Sequence, residues 1–334
     1  MKLFNNAPYE HVIVNGLILA KYSQKMSKRL KNYPDPMDVV AKYGADAVRY
    51  YMLSSPIVRG EDLAFSEKGV AEIANKVINR LLNVVSFYEL FAGTSLVDFS
   101  TLQKEAEESA HVLDRFIIAR LNEIIRDITT GMEAYELDRA TRPLLSFIDD
   151  LSTWYLRRSR DRFKSDDLTD VARVKAVTRY VLLTLSKLVA PSMPFVAEAV
   201  YQKMKTQDGV DSVHLEKWPV VNESVIDVHT LELMDAVREV VTLGLEERNK
   251  VGIKVRQPLK TLRVKDTRLQ GEEAFQMLIK DELNVKEVLI TPELNKTIEL
   301  DTAITAELKE EGNVRELIRA IQEKRKEEGL MPQD

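Results

Sequence analysis

The chain has 334 residues, no cysteine and a formal net charge of −5, set by 48 Lys and Arg against 53 Asp and Glu. Such a length supports two or three domains with cores of their own, and the slight acidity argues against indiscriminate nucleic-acid binding by a whole domain. Without cysteine there is no disulfide framework and no thiolate zinc site, which accords with a reducing compartment. There is no apolar run of membrane-spanning length and no signal peptide, so a cytoplasmic protein without a membrane partner is expected. His11, His111, His214 and His229 stand singly, so structural or surface roles are expected for them and no metal site is assigned.

Residues 1–66 read as a mixed segment. Two short strand-like runs, 12–14 and 17–19, lead into Lys25-Met26-Ser27-Lys28-Arg29. Ammonium groups on a mobile loop suit a charge that appears only in a transition state, such as the polyphosphate of ATP. Taken alone, five such residues read more simply as a solvated basic loop. Asn32-Tyr33-Pro34-Asp35-Pro36 follows as a breaker cluster. Pro36 is placed to open a short helix through Val39, Val40 and Tyr43, which Gly44 stops. Asp46 is expected to N-cap the next helix, with Val48, Tyr51 and Met52 facing inward and Pro56 ending it.

Residues 67–206 are helical by period. One apolar stripe comprises Ile73, Val77, Leu81, Val84, Tyr88 and Phe91, and a second comprises Leu113, Phe116, Ile117, Leu121, Ile124, Ile125 and Ile128. A third, Leu144, Leu145, Ile148, Leu151 and Tyr155, has Pro143 as its expected opening residue. A fourth is Val174, Val177, Val181, Leu185 and Leu188. Pro191 and Pro194 precede a shorter fifth helix carrying Phe195, Val196, Ala199, Val200 and Met204. Short polar connections at 93–100 and 165–169 make this an antiparallel helical bundle, its stripes core and not a cofactor box.

Residues 207–227 read as a linker, with a brief strand at 213–215 closed by Trp218-Pro219. Residues 228–334 read as a small α+β domain. Helices are expected over 231–247 and 272–279, strands over 261–264, 285–290 and 298–300, and a long charged helix over 306–328. Leu308, Val314, Leu317, Ile318 and Ile321 are the expected buried side of that last helix, and Gly329 its stop.

A second basic run lies in the bundle, Trp154-Tyr155-Leu156-Arg157-Arg158-Ser159-Arg160-Asp161-Arg162-Phe163-Lys164. On a helix, Arg157, Arg160 and Lys164 share one side, with Arg158 and Arg162 on an adjacent one. Arginines can pair with phosphate and stack on an unpaired base. Spacing alone weighs this evenly against a solvated face bridging to Asp149, Asp150 and Asp161, and Trp154 and Tyr155 read as core anchors. A weaker candidate is Arg248, Lys250, Lys254, Arg256 and Lys260 around a turn at Gly252, where ordinary surface charge is the simpler reading.

Residues 25–29 resemble the KMSKS signature loop of class I aminoacyl-tRNA synthetases, with Arg29 where many members carry Ser. The match continues through Asn15-Gly16-Leu17, Lys31-Asn32-Tyr33-Pro34-Asp35-Pro36, Lys42-Tyr43-Gly44-Ala45-Asp46-Ala47-Val48-Arg49 and Leu53-Ser54-Ser55-Pro56. Residues 154–163, 212–219 and 254–259 are also similar to family sequences, and the whole series is most like the isoleucyl members of eukaryotic type. The resemblance implies a mainly α architecture: the end of a catalytic domain with its connective fold at 1–66, an anticodon-binding helical bundle at 67–206, the linker, and the α+β domain at 228–334. It implies that Lys28 stabilises the pyrophosphate leaving group of ATP, that Lys25 supports it as a phosphate contact, and that Met26 and Ser27 shape the loop at the nucleotide. It further implies that Arg157, Arg158, Arg160, Arg162 and Lys164 contact tRNA(Ile), with ATP and Mg2+ used by the whole enzyme.

No His-containing HIGH signature stands ahead of Lys25. The chain is therefore expected to be the later portion of a larger, monomeric isoleucine–tRNA ligase and inactive by itself. The alternatives are the equivalent portion of a valyl or leucyl enzyme, or a free-standing helical adaptor for protein partners.

Overall fold

Proline and glycine punctuate the first helices as their backbone chemistry dictates. Helix α1 (Pro36–Tyr43) begins on Pro36, with the Asp35 side chain accepting from the Met37 N–H at 2.8 Å, and ends at Gly44, whose φ of +85° suits a residue without a Cβ. The structure, a computed structural model, describes residues 7–93 and 97–329, and these divide into two units, Met1–Asp227 and Val228–Asp334. Positions 94–96, inside the connection read as short and polar, lie outside the described residues.

In the first unit, strands β1 (Ile18–Leu19) and β2 (Leu63–Ala64) pair in parallel. The run 12–14 forms no strand: Val12, Ile13 and Val14 are exposed and face no paired strand. Helix α2 (Ala45–Leu53) buries Asp46, Ala47 and Tyr50, whereas Val48, Tyr51 and Met52 are only half-buried. Asp46 does not cap its own helix; its Oδ2 accepts from the Val196 N–H at 2.7 Å, in the first turn of a helix 150 residues later. Burial pushes its carboxyl above the usual range, opposed by the backbone N–H bonds it receives.

The bundle follows the predicted stripes, except that Leu145 of the third is exposed. Helix α3 (Glu67–Ile73) runs through a π turn (Ala74–Asn79) into α4 (Arg80–Glu89), and the turn brings both Val77 and Ile78 inward. Helix α5 (Phe99–Glu107) has no counterpart among the predicted elements. It is largely polar, buries only Leu102 and Ala106, and is capped by Asp98, so its apolar stripe is too thin to read by period. Helix α6 (Val112–Glu133) and helix α7 (Leu137–Asp149) pack closely, and Pro143 lies inside α7 instead of opening it. An internal proline costs roughly 3 kcal/mol. Full burial of Ala140 and Thr141, ahead of the proline, offsets that cost and extends the helix backward.

A second π turn (Asp150–Leu156) leads to the single turn α8 (Arg157–Ser159). Helix α9 (Leu168–Val189) is the central helix, with thirteen buried residues along its length. Helix α10 (Pro194–Met204) buries Ala197, Val200, Tyr201 and Met204 but leaves Phe195 exposed. Residues 213–215 form a 3-10 turn and not a strand, because the Ser212 side chain accepts from the His214 N–H and Val213 docks on Glu198. The stretch after it straps the bundle, with Trp218 Nε1 donating to Thr129 Oγ1 at 2.8 Å and the Asn222 N–H to Asn122 Oδ1 at 2.8 Å.

In the second unit, α11 (Val228–Lys250) packs with α12 (Glu273–Leu283) over a sheet of order β4-β3-β5. Strands β3 (Leu259–Val264) and β4 (Val285–Ile290) are parallel, joined through α12, and β5 (Ile298–Leu300) is antiparallel to β3. Helix α13 (Ala306–Glu327) ends the described chain, and of its five expected core residues only Leu308 is buried. Among the described residues no helix is long and apolar enough to cross a membrane.

Candidate functional site

The chain leaves β1 through a tight reversal. Tyr22 and Ser23 sit in the left-handed region, at φ of 61° and 56°, and Lys25 then bridges back to Leu19. Two non-glycine residues in that region cost on the order of 1–2 kcal/mol each. They persist because the Leu19–Lys25 bridge and the Ala20 N–H bond to the Gln24 carbonyl at 2.7 Å hold the reversal closed. Gly16, just upstream, donates its N–H to the Ile57 carbonyl at 2.8 Å, and a Cβ there would lie 1.9 Å from the Glu61 carbonyl oxygen. Only glycine lets these two backbones approach so closely.

Residues 25–27 are latched by one side chain. Asn32 Oδ1 accepts from the Ser27 N–H at 2.9 Å while its Nδ2 donates to the Lys25 carbonyl at 3.1 Å. Each bond contributes about 0.5–1.5 kcal/mol net. The loop therefore keeps a defined shape, and Asn32 is a site residue that sequence reading treated only as a breaker. Met26 turns inward, into an apolar hollow of about 120 Å³ that it lines with Ile18, Tyr33, Pro34, Pro36, Val39, Val48, Met52 and Phe65. Ser27 is half-buried, whereas Lys25, Lys28 and Arg29 are exposed. Alternation of an inward Met with outward lysines gives a hydrophobic root and a cationic tip.

This segment is tied to the bundle by α2. Arg49 donates to the carbonyls of Ser192 at 3.3 Å and Pro191 at 2.9 Å, and Tyr50 Oη donates to the Thr141 carbonyl at 2.8 Å. The fully buried Asp138 carboxylate lies 3.3 Å from Arg59 and 3.0 Å from Arg142.

The second basic run does not stay helical. The chain turns at 160–161 and continues as a 3-10 turn (Arg162–Lys164). Arg157, Arg160 and Lys164 are exposed, Arg158 is half-buried, Trp154 is half-buried and Tyr155 is fully buried. Arg157 Nε donates to the Thr153 carbonyl at 2.8 Å, and the Arg160 guanidinium lies 5.5 Å from the Phe87 ring centroid.

Arg162 is different in kind. Its Nη1 and Nη2 grip Asp114 at 2.7 and 2.9 Å, and its Nε and Nη2 grip Asp170 at 3.0 and 2.7 Å. Ser109 Oγ donates to the same Asp114 at 2.6 Å, and His111 Nδ1 accepts from the Leu113 N–H at 3.2 Å to cap α6. Arg162 is therefore a clamp joining α6 to α9 and no candidate for an RNA phosphate, because every donating nitrogen already meets a carboxylate. The hydrogen bonds from Arg162 hold the Asp170 carboxyl below its usual range, and burial, with the Arg162 charge, lowers the His111 imidazole.

The weaker cluster around Gly252 also separates. Arg248 is 1% exposed and donates to the carbonyls of Lys254, Gln257 and Asn284 at 3.1, 2.9 and 3.1 Å, and burial brings its pKa down to about 10. It is a structural bracket. Arg256 pairs with Glu316 and Lys250 with Glu247, leaving Lys254 and Lys260 as the exposed pair. Of the histidines, His11 is exposed against Tyr135, His214 is exposed and His229 lies 3.3 Å from Glu272. Among the described residues no group of three or more His, Asp or Glu is placed to hold a metal ion.

Two family models match the chain: residues 1–64 match tRNA synthetases class I (I, L, M and V), and residues 114–264 match the anticodon-binding domain of tRNA ligase. Isoleucine–tRNA ligase of Bdellovibrio bacteriovorus is 38% identical over 304 residues, 89% of this chain and 28% of that protein. The isoleucine–tRNA ligase of Chlamydia abortus is 39% identical over 295 residues, 87% of this chain and 28% of its own length. That of Protochlamydia amoebophila is 40% identical over 291 residues, 86% of this chain and again 28% of its length. The chain thus spans between a quarter and a third of the relatives it matches.

Proposed function

Because the chain belongs to the class I tRNA synthetase family, we propose that it serves isoleucine–tRNA ligation as the tRNA-binding portion, with the ATP loop at its leading end, in the cytoplasm. The observation that carries the ATP reading is the pair of exposed lysines, Lys25 and Lys28, on a loop whose backbone Asn32 and Met26 fix. Two ammonium groups fit a polyphosphate. Residues 25–32 hold no carboxylate, so Mg2+ would arrive on the nucleotide and is given no ligand here.

Lys28 meets the charge of the departing pyrophosphate, and Lys25 steadies the same phosphates. Such contacts act mainly by neutralising charge that grows toward the transition state. Met26 anchors the loop, and Ser27 sets its backbone through Asn32. On the bundle, the exposed Arg157, Arg160 and Lys164 follow the anticodon-loop phosphates, with Arg158 beside them, while Arg162 holds the helices that present them. Alone, the chain is expected to form no isoleucyl-adenylate, and pyrophosphate exchange by it would refute that point.

Filter binding of this chain to tRNA(Ile), tRNA(Val) and tRNA(Leu) transcripts tests the reading. Tighter retention of tRNA(Ile), weakening steeply with salt, is the expected result. Preference for either other transcript would move the proposal to a valyl or leucyl enzyme, and no retention would leave the helical adaptor.

A further inference from the structure

One side of the bundle opens into a cavity of about 590 Å³, beneath the stretch that reads from sequence as a linker. Phe99 and Gln103 of α5, Ile125 of α6, and Tyr180 and Thr184 of α9 form its walls, and residues between 206 and 220 form its rim. Its size, and its mixture of rings with a few polar groups, are those of a ligand site. Phe99 and Tyr180 lie tilted with 5.8 Å between centroids, and the Phe99 N–H donates to Asp208 Oδ1 at 3.0 Å, which fixes that wall. Trp218 lines the same cavity. Its indole is anchored through Nε1 to Thr129 Oγ1 at 2.8 Å, so the ring is held in place with 36% of the residue open to solvent. Leu215 and Val220 on the rim are 68% and 85% exposed. The Thr184 hydroxyl is buried beside that of Tyr180 and closes no full hydrogen bond within the protein. Buried polar groups normally find a partner, and the edge of a ligand supplies one.

Charge in this cavity is already balanced. Lys187 Nζ lies 4.4 Å from the Phe99 ring centroid and 2.9 Å from Glu216 Oε2, and Tyr201 Oη donates to Glu216 Oε1 at 2.6 Å. Asp208 and Lys217, of opposite sign, complete the charged lining. A phosphate would find the buried cation spent. A neutral flat ring with donors and acceptors along its edge would instead meet aromatic surface, a hydroxyl and an amide. From this we propose that the cavity takes one unstacked nucleobase of the RNA loop that the bundle binds, laid against Trp218, with Gln103 and Thr184 available to its edge. Bases splayed from an RNA loop are held in this manner, by stacking and by hydrogen bonds along the edge.

The proposal rests on the tRNA reading and adds to it a site that senses a base and not the backbone. It lies about 20 Å along α9 from Asp170, the residue that Arg162 grips. The basic run and the cavity therefore divide the work, one meeting phosphates and the other a ring.

Fluorescence anisotropy of the whole chain with the labelled synthetic anticodon arm of tRNA(Ile) tests it, using abasic replacement at each unpaired loop position in turn. At one position, loss of the base is expected to weaken binding about tenfold or more. Trp218→Ala is expected to weaken the intact arm by a similar factor, with the salt slope unchanged because no cation has gone. That variant should bind the abasic arm no worse than the parent does. Trp218→Phe, which keeps a ring, is expected to restore most of the affinity. An abasic series without effect overturns the proposal, and so do losses from Trp218→Ala and from the abasic arm that simply add. Failure of the parent to retain the intact arm overturns the tRNA reading and this proposal together, whereas retention with a flat abasic series overturns this one alone. AMP, CMP, GMP and UMP at millimolar concentration separate the two sources of a base. If one of them quenches the tryptophan fluorescence of the parent and not of Trp218→Ala, while the abasic series stays flat, the cavity belongs to a free nucleotide and the RNA base is excluded.

Discussion

Two runs of cations, 25–29 and 157–164, look alike as sequence and behave differently as structure. In the first, Lys25 and Lys28 stand exposed above a loop held by uncharged groups, Asn32 and Met26. In the second, Arg162 spends its donors on Asp114 and Asp170 while Arg160 and Lys164, two residues to either side, face solvent. What separates them is the supply of carboxylates brought in by distant helices. A cation that finds two carboxylates in the frame becomes part of it, and one held by neutral groups keeps its charge for a ligand.

The largest effect expected from that contrast is on stability. Arg162→Ala leaves Asp114, which is fully buried, without its charged partner, and breaking a buried pair in this way costs about 3–5 kcal/mol. Urea denaturation of the whole chain should register a loss of that size in the transition of the first unit, whereas Arg160→Ala should move the midpoint very little. Comparable destabilisation in the two variants would erase the distinction between frame and free cation.

The next effect is kinetic. In a full-length enzyme carrying this segment, Lys28→Ala should slow adenylate formation by roughly 10²–10³-fold, the scale of removing one preorganised charge interaction, with little change in ATP affinity. Single-turnover kinetics separates the two quantities, and equal losses in both would mean that Lys28 merely binds ATP.

Acid sensitivity sharpens the clamp further. His111, with an ordinary value of 6.5, is lowered in the fold, and Asp170, ordinarily 3.8, is lowered as well. In both cases the unfolded chain takes up the proton first. Stability is then complete above the unfolded value and is lost as pH falls through the folded one, beginning near 6.5 for His111 and near 3.8 for Asp170. His111→Asn keeps a good N-cap and removes the earlier limb, so its urea midpoint should hold from pH 7 to pH 5 and fall only in the carboxylate range. A midpoint that declines over pH 7–5 as in the parent would assign that limb to another group.

The sequence carried the long elements well because their signals are local. Period alone placed the stripes of α6 and α9, and Pro36 with Gly44 bounded α1. Interactions closed over long separations were not legible. Asp46 is drawn from its own helix to Val196, and Arg162 to an Asp114 forty-eight residues earlier. Neither partner has a spacing that a local pattern could reveal. Helix α13 shows the converse limit, since its stripe was visible but periodicity cannot say which side meets the unit. At the candidate site, the lysines of the loop were readable and their latch was not, because Asn32 beside a proline-rich turn reads first as a breaker.

The smallest effect is the finest probe of which cations face RNA. Removing one cation that meets a phosphate should lower the salt dependence of tRNA binding by about one unit of slope, and affinity only modestly. Arg160→Gln and Lys164→Gln are each expected to do so, because both side chains are exposed and neither is gripped by a pair of carboxylates as Arg162 is. Arg162→Lys, assayed where it remains folded, should leave the slope unchanged, since its charge already belongs to Asp114 and Asp170. The sign of the difference matters more than its size. A slope lowered by the Arg162 variant and unmoved by the other two would reverse the assignment, making the carboxylates a gate that opens when RNA arrives and not a frame that waits for it.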